Sequence, residues 1–70
     1  MSVNIGTLFE STFLSPHNTF EVVSLADYQD EVNGTIEPNE IATMRNVSNG
    51  DTYVTFVSLL ENSPYMLRLN

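Results

Sequence analysis

The chain is 70 residues long and 41% hydrophobic, with no cysteine, no lysine and a formal net charge of -7. That length is expected to form one domain over residues 1–70 with a thin core, because a domain of about 60 residues buries only about 60% of its unfolded surface. The missing cysteines exclude a disulfide framework and a thiolate zinc site, and the charge opposes nucleic-acid phosphates and anionic membranes, whose recognition needs Lys or Arg.

The charge is unevenly spread. Glu10, Glu21, Asp27, Asp30, Glu31, Glu37 and Glu40 all precede the first cation, Arg45, while Arg45 and Arg68 balance Asp51 and Glu61 in the remainder. A field of this sign favours basic partners or cations. No basic n-region or long apolar run near Met1 resembles a signal peptide or a membrane span, so a soluble cytoplasmic protein is the expectation. The sequons Asn33-Gly34-Thr35 and Asn46-Val47-Ser48 would matter only in a secreted protein and are read as chance.

Short runs of β-branched and aromatic residues, broken by Gly, Pro, Asn and Asp, predict strands and turns. The first run is Ile5 to Phe13, ended by the turn-forming cluster Ser15-Pro16-His17-Asn18. Thr19 to Leu25 is predicted as the second strand, with Phe20, Val22 and Leu25 inward. Ala26 to Glu40 holds five carboxylates and scattered apolar residues, and is expected to be a long exposed loop or irregular hairpin. Ile41 to Ser58 predicts a hairpin around Ser48-Asn49-Gly50, since Asn-Gly is a strong turn signal.

Its register decides which side chains share a face. A two-residue Asn49-Gly50 turn would set Met44 opposite Thr55 and mix polar with apolar groups. A three-residue loop with Gly50 in the left-handed region pairs Met44 with Val54 and Ala42 with Phe56, and puts Arg45 over the outward ring of Tyr53. The bulged register is therefore expected, with Leu8, Phe20, Val22, Ala42, Met44, Val54, Phe56 and Leu67 in the core. Leu59 to Ser63 predicts one helical turn stopped by Pro64, which also biases Ser63 toward an extended backbone. Tyr65 to Leu69 is the last strand.

Five strands, a long excursion after the second, a tight distal hairpin and a helical turn before the fifth give an element order that resembles an SH3-like small β-barrel. The Ala-Leu-Tyr-Asp-Tyr and Trp-Trp signatures of peptide-binding SH3 domains are absent, and with them the aromatic groove on which proline-rich recognition depends. The expected fold is all-β: a small five-stranded SH3-like barrel.

Asp27, Asp30, Glu31, Glu37 and Glu40 could chelate a hard cation, but their spacing fits no EF-hand, and a solvated acidic segment is the plainer reading. The same carboxylates could imitate a line of DNA phosphates, as in viral inhibitors of nucleic-acid-binding proteins. His17 lacks a serine or carboxylate at motif distance, and the isolated Gly6, Gly34 and Gly50 make no phosphate loop. No enzyme activity, cofactor or metal is assigned.

The expected function is that of a small acidic interaction protein, with Asp27, Tyr28, Asp30, Glu31, Glu37 and Glu40 contacting a basic surface of another protein. Tyr28 joins them because tyrosine pairs apolar area with a polar tip. In general character the chain resembles acidic, cysteine-free accessory proteins of bacteriophages that inhibit or modulate a host factor, which would place it in the host cytoplasm. The alternative is an assembly subunit that forms a homodimer or larger homo-oligomer, since oligomerisation adds buried area to a small domain.

Overall fold

The computed structural model describes residues 3–32 and 35–70, with side chains at all of these except 28–38. The elements run β1 (Leu8–Ser11), β2 (Asn18–Val32), β3 (Thr35–Asn46), β4 (Thr52–Phe56), α1 (Val57–Asn62) and β5 (Met66–Arg68). They form one five-stranded antiparallel sheet in the order β4-β3-β2-β1-β5. The sheet is open, with β4 and β5 at its edges, and α1 leads from one edge strand toward the other. A small mostly-β fold is thus as the sequence implies. Among the described residues helical structure is confined to α1, which overlaps the turn expected from Leu59 but begins two residues earlier, at Val57, and Ser63 before Pro64 is extended (φ -74°, ψ 130°), which stops the helix.

The core consists of Val3, Phe9, Val22, Ala42, Met44, Val57 and Leu60, with Phe20, Leu25 and Met66 packed against it. A regular strand could not point Val22 and Leu25 the same way, because faces alternate with period two. A register shift between Val22 and Ser24 changes the parity. Val22 lies opposite Met44 and Leu25 opposite Ala42, so both face inward, and Val23 is the extra, exposed residue. Val3 reaches the core through a turn in which the Thr7 N–H donates to the Asn4 carbonyl, with Gly6 at φ 93°, a conformation that favours glycine. Beyond β5, the Leu69 N–H donates to the Leu8 carbonyl and the Asn70 side chain accepts from the Leu8 N–H, extending the β1–β5 seam.

The distal hairpin departs from the expected register by one residue. Asn46 lies across from Asp51, so four residues, Val47 to Gly50, form the loop. Two Asx turns hold it open: Asn46 Oδ1 accepts from the Ser48 N–H and Asn49 Oδ1 from the Asp51 N–H, each at 2.9 Å. Gly50 does adopt the left-handed region (φ 82°). Met44 accordingly pairs with Tyr53, Thr43 with Val54, Ala42 with Thr55 and Ile41 with Phe56.

The expected core set is corrected in consequence. Val54 and Leu67 are exposed, while Leu8 and Phe56 lie outside the core cluster. The cover that sequence reasoning assigned to Val54 and Phe56 comes from Val57 and Leu60 of α1. Phe9 rather than Leu8 is the buried residue of β1, because Phe9 shares its face with Phe20 across the strand pair.

The segment expected as a long exposed loop or irregular hairpin is strand-paired. β2 and β3 continue in unbroken register from Ser24 opposite Thr43 to Val32 opposite Thr35, which realises the hairpin form of that expectation. Pro38 lies within β3 opposite Gln29, a placement compatible with a strand that has no neighbour on its other side.

Met44→Ala should cost about 2–5 kcal/mol and leave a domain this small largely unfolded. Leu14→Ala at an exposed site should stay within about 0.5 kcal/mol, and Phe56→Ala, on the outer face, should cost less than Met44→Ala. Urea denaturation of the three variants checks the order.

Candidate functional site

Two strands outrun their neighbours. β1 pairs with β2 only at Asn18 to Glu21, and β4 pairs with β3 only at Ile41 to Arg45. Beyond Asp27 and Glu40 the hairpin is a ribbon of two strands, with no third strand paired to it among the described residues. Five residues from Tyr28 to Val32 carry it about 17 Å further at about 3.4 Å per residue. The molecule is correspondingly elongated, 41 × 22 × 22 Å.

The backbone register sets acidic positions opposite one another, Asp27 across from Glu40 and Asp30 across from Glu37. Like charges in directly opposed positions destabilise a strand pair, and each of these pairs has the same sign. Of the six residues predicted to bind a partner, Asp27 and Glu40 have described side chains. They lie together at the base of the ribbon, where they line an open depression with Asn39, Val57, Ser58 and Glu61. The backbone of Tyr28, Asp30, Glu31 and Glu37 lies in the ribbon, opposite Asn39, Glu37, Ile36 and Asp30 respectively. Their side chains fall outside the described residues. Among the described residues no three acidic or imidazole groups come together as a metal site.

Elsewhere the ionic contacts are exposed. Arg45 Nη2 donates to Glu21 Oε1 at 2.7 Å, as their opposed positions on β3 and β2 dictate. This corrects the expected stacking of Arg45 on Tyr53, whose ring is on the inner face. There Tyr53 meets Phe20 edge to face, with centroids 5.3 Å apart and planes at 88°. Partial burial pushes the Tyr53 phenol above its ordinary value, since water is lost around the charged form. His17 Nδ1 lies 2.6 Å from Glu10 Oε2 in the turn that carries the cis Ser15-Pro16 bond.

The chain also displays apolar surface that sequence reasoning missed. Phe13 and Tyr65 pack edge to face at 5.3 Å while both are exposed. Ile41, Val54, Thr55, Phe56 and Leu59 line an apolar depression beside β4. The first depends on the β1–β5 pairing and the second on the hairpin register, so neither is marked by a local motif. No helix among the described residues is long and apolar enough to cross a membrane.

Compared with known proteins, the chain matches no protein-family model, and neither a curated protein nor a solved structure matches it significantly.

Tyr53 supplies a pH test of its inner-face position. A group whose pKa is raised in the folded state adds stability that is present below the unfolded value, about 10 for tyrosine, and lost as pH rises through the folded value. Alkaline denaturation should therefore be delayed to higher pH in Tyr53→Phe relative to wild type, and the phenolate absorbance that the substitution removes should belong to a group ionising above the ordinary tyrosine value.

Proposed function

We propose that this is a non-enzymatic interaction protein whose acidic β2–β3 ribbon engages a basic surface of another protein. The observation that carries this is the opposition of Asp27 to Glu40 and of Asp30 to Glu37 in a ribbon with no third strand. Two strands alone are marginal in water, and three strands or a packing surface are needed for independent stability. Like charges across the ladder weaken the ribbon further, so a partner that supplies Lys or Arg would relieve the repulsion and cover the backbone together. Glu31 adds to the same charge and Tyr28 would supply the aromatic anchor.

The meander of four strands with the fifth laid against the first, and the helical turn before that fifth strand, support an SH3-like barrel as the finer description of the fold. Small size, acidity and the absence of cysteine support an accessory protein of the bacteriophage type, acting in the host cytoplasm as inhibitor or modulator of a host factor. Nucleic acid and membrane are disfavoured as partners by the net charge of -7.

The test is capture of partners from a bacterial lysate at low and high salt, followed by association kinetics of the recovered protein with wild type and with Asp30→Asn/Glu31→Gln/Glu37→Gln. Association of the triple variant should be about tenfold slower at low ionic strength, with the difference closing at high salt, because charge steering acts on the on-rate and is screened. Equal rates with equal salt slopes would reject the ribbon as the contact surface.

A further inference from the structure

The edge strand β4 lacks the charge, proline and bulge that commonly protect a sheet edge. Its sequence, Thr52-Tyr53-Val54-Thr55-Phe56, contains no charge, no proline and no glycine, and its pairing with β3 runs without a bulge. Natural edge strands are usually blunted by Lys, Pro, bulges or inward charges, because unpaired N–H and C=O groups invite another strand. The Asn46 N–H donates to the Asp51 carbonyl, so the alternation of an antiparallel ladder turns the main-chain groups of Thr52 and Val54 away from β3. Val54 is 62% exposed and Leu59 58% exposed, and with Ile41 and Phe56 they border the apolar depression beside this edge. In a chain of charge -7, this neutral, β-branched edge lets a strand add without facing a carboxylate.

The geometry points to a second copy of this chain, its β4 antiparallel to the first across a two-fold axis at Val54, as the occupant of this edge. About that axis Val54 faces its counterpart and Tyr53 faces Thr55, β-branched and aromatic pairs of the kind that stabilise sheets. Charge selects the antiparallel arrangement. The acidic ribbon leaves the sheet at the Phe56 end of β4, where Ile41 of β3 lies opposite. Antiparallel copies therefore send their ribbons in opposite directions, whereas parallel addition would set them side by side. The two Asp51 residues, the nearest carboxylates in sequence, would lie about 20 Å apart along the strands at about 3.4 Å per residue, beyond the Debye length of about 8 Å at physiological salt. The contact is isologous and closes as a dimer, giving a ten-stranded sheet with an acidic ribbon at each end.

The chain has no cysteine, which gives the test a clean background. Val54→Cys would place the only two thiols of the dimer on the axis, and directly opposed residues of an antiparallel pair lie about 5.5 Å apart at Cα, within the range a disulfide spans. Under mild oxidation at about 10 μM protein, Val54→Cys should cross-link about a hundredfold faster than the comparably exposed Leu14→Cys, because thiols held together act at millimolar effective concentration or above. Sedimentation of the wild type should show a concentration-dependent dimer, independent of whether the acidic ribbon binds anything. A wild type that stays monomeric, assembles into larger rings or fibres through β4 and β5, or dimerises while Val54→Cys cross-links no faster than Leu14→Cys, would overturn the proposal.

Discussion

The structure turns on a mismatch of lengths. β2 and β3 run for 15 and 12 residues, whereas the strands beside them have 4 and 5. The seven buried hydrophobic residues among those described include Val22 of β2 and Ala42 and Met44 of β3, in the half of the long pair that β1 and β4 flank. Met44 and Val22, both fully buried, face each other at its centre, and Phe9 of β1 with Val57 and Leu60 of α1 closes over them from two other segments. Past Asp27 and Glu40 no third strand is paired to the ladder among the described residues.

That division also decides where charge can be placed. Near the core each acidic strand residue has an answer: Glu21 meets Arg45 and Glu10 meets His17. Along the ribbon the backbone register pairs acidic position with acidic position. A single register governs both regions, because the shift at Val22/Ser24 aligns Leu25 with Ala42 and thereby Asp27 with Glu40. Burial of two apolar residues thus fixes the placement of the acidic pairs, and sliding the ribbon to separate the charges would expose Leu25.

Much of the fold was legible because its signals are local. The extended Ser63 before Pro64, the left-handed Gly50 and the inward Phe20, Val22, Ala42 and Met44 each follow from a residue's own stereochemistry or from alternation along one strand. What failed required knowledge of neighbours. The hairpin register turned on whether Asn46 and Asn49 would bend their side chains into the loop, and that one-residue difference moved Tyr53 inward and Val54 outward. Phe9 and Leu8 are adjacent apolar residues, and only the pairing of Phe9 with Phe20 distinguishes them. The acidic stretch was legible as charge, and as strand only through the hairpin alternative to a loop. Its composition opposes β structure, and long-range pairing in continuation of a packed strand overrides it.

The two surfaces left exposed by this arrangement are chemically opposite. The ribbon is charged and its attraction for a partner would weaken as salt screens it. The β4 edge is neutral, and association there would rest on main-chain hydrogen bonds and apolar contact, which salt does not screen in that way. They lie on successive parts of the same strand, since β3 forms one side of the ribbon through Glu40 and supports β4 from Ile41 onward. A two-fold pairing of β4 would stiffen the Ile41 to Arg45 half of β3 and so anchor the base of the ribbon, while doubling the number of acidic arms on one particle. Two arms engaging one basic partner, or two partners, bind with an effective concentration that a single arm lacks.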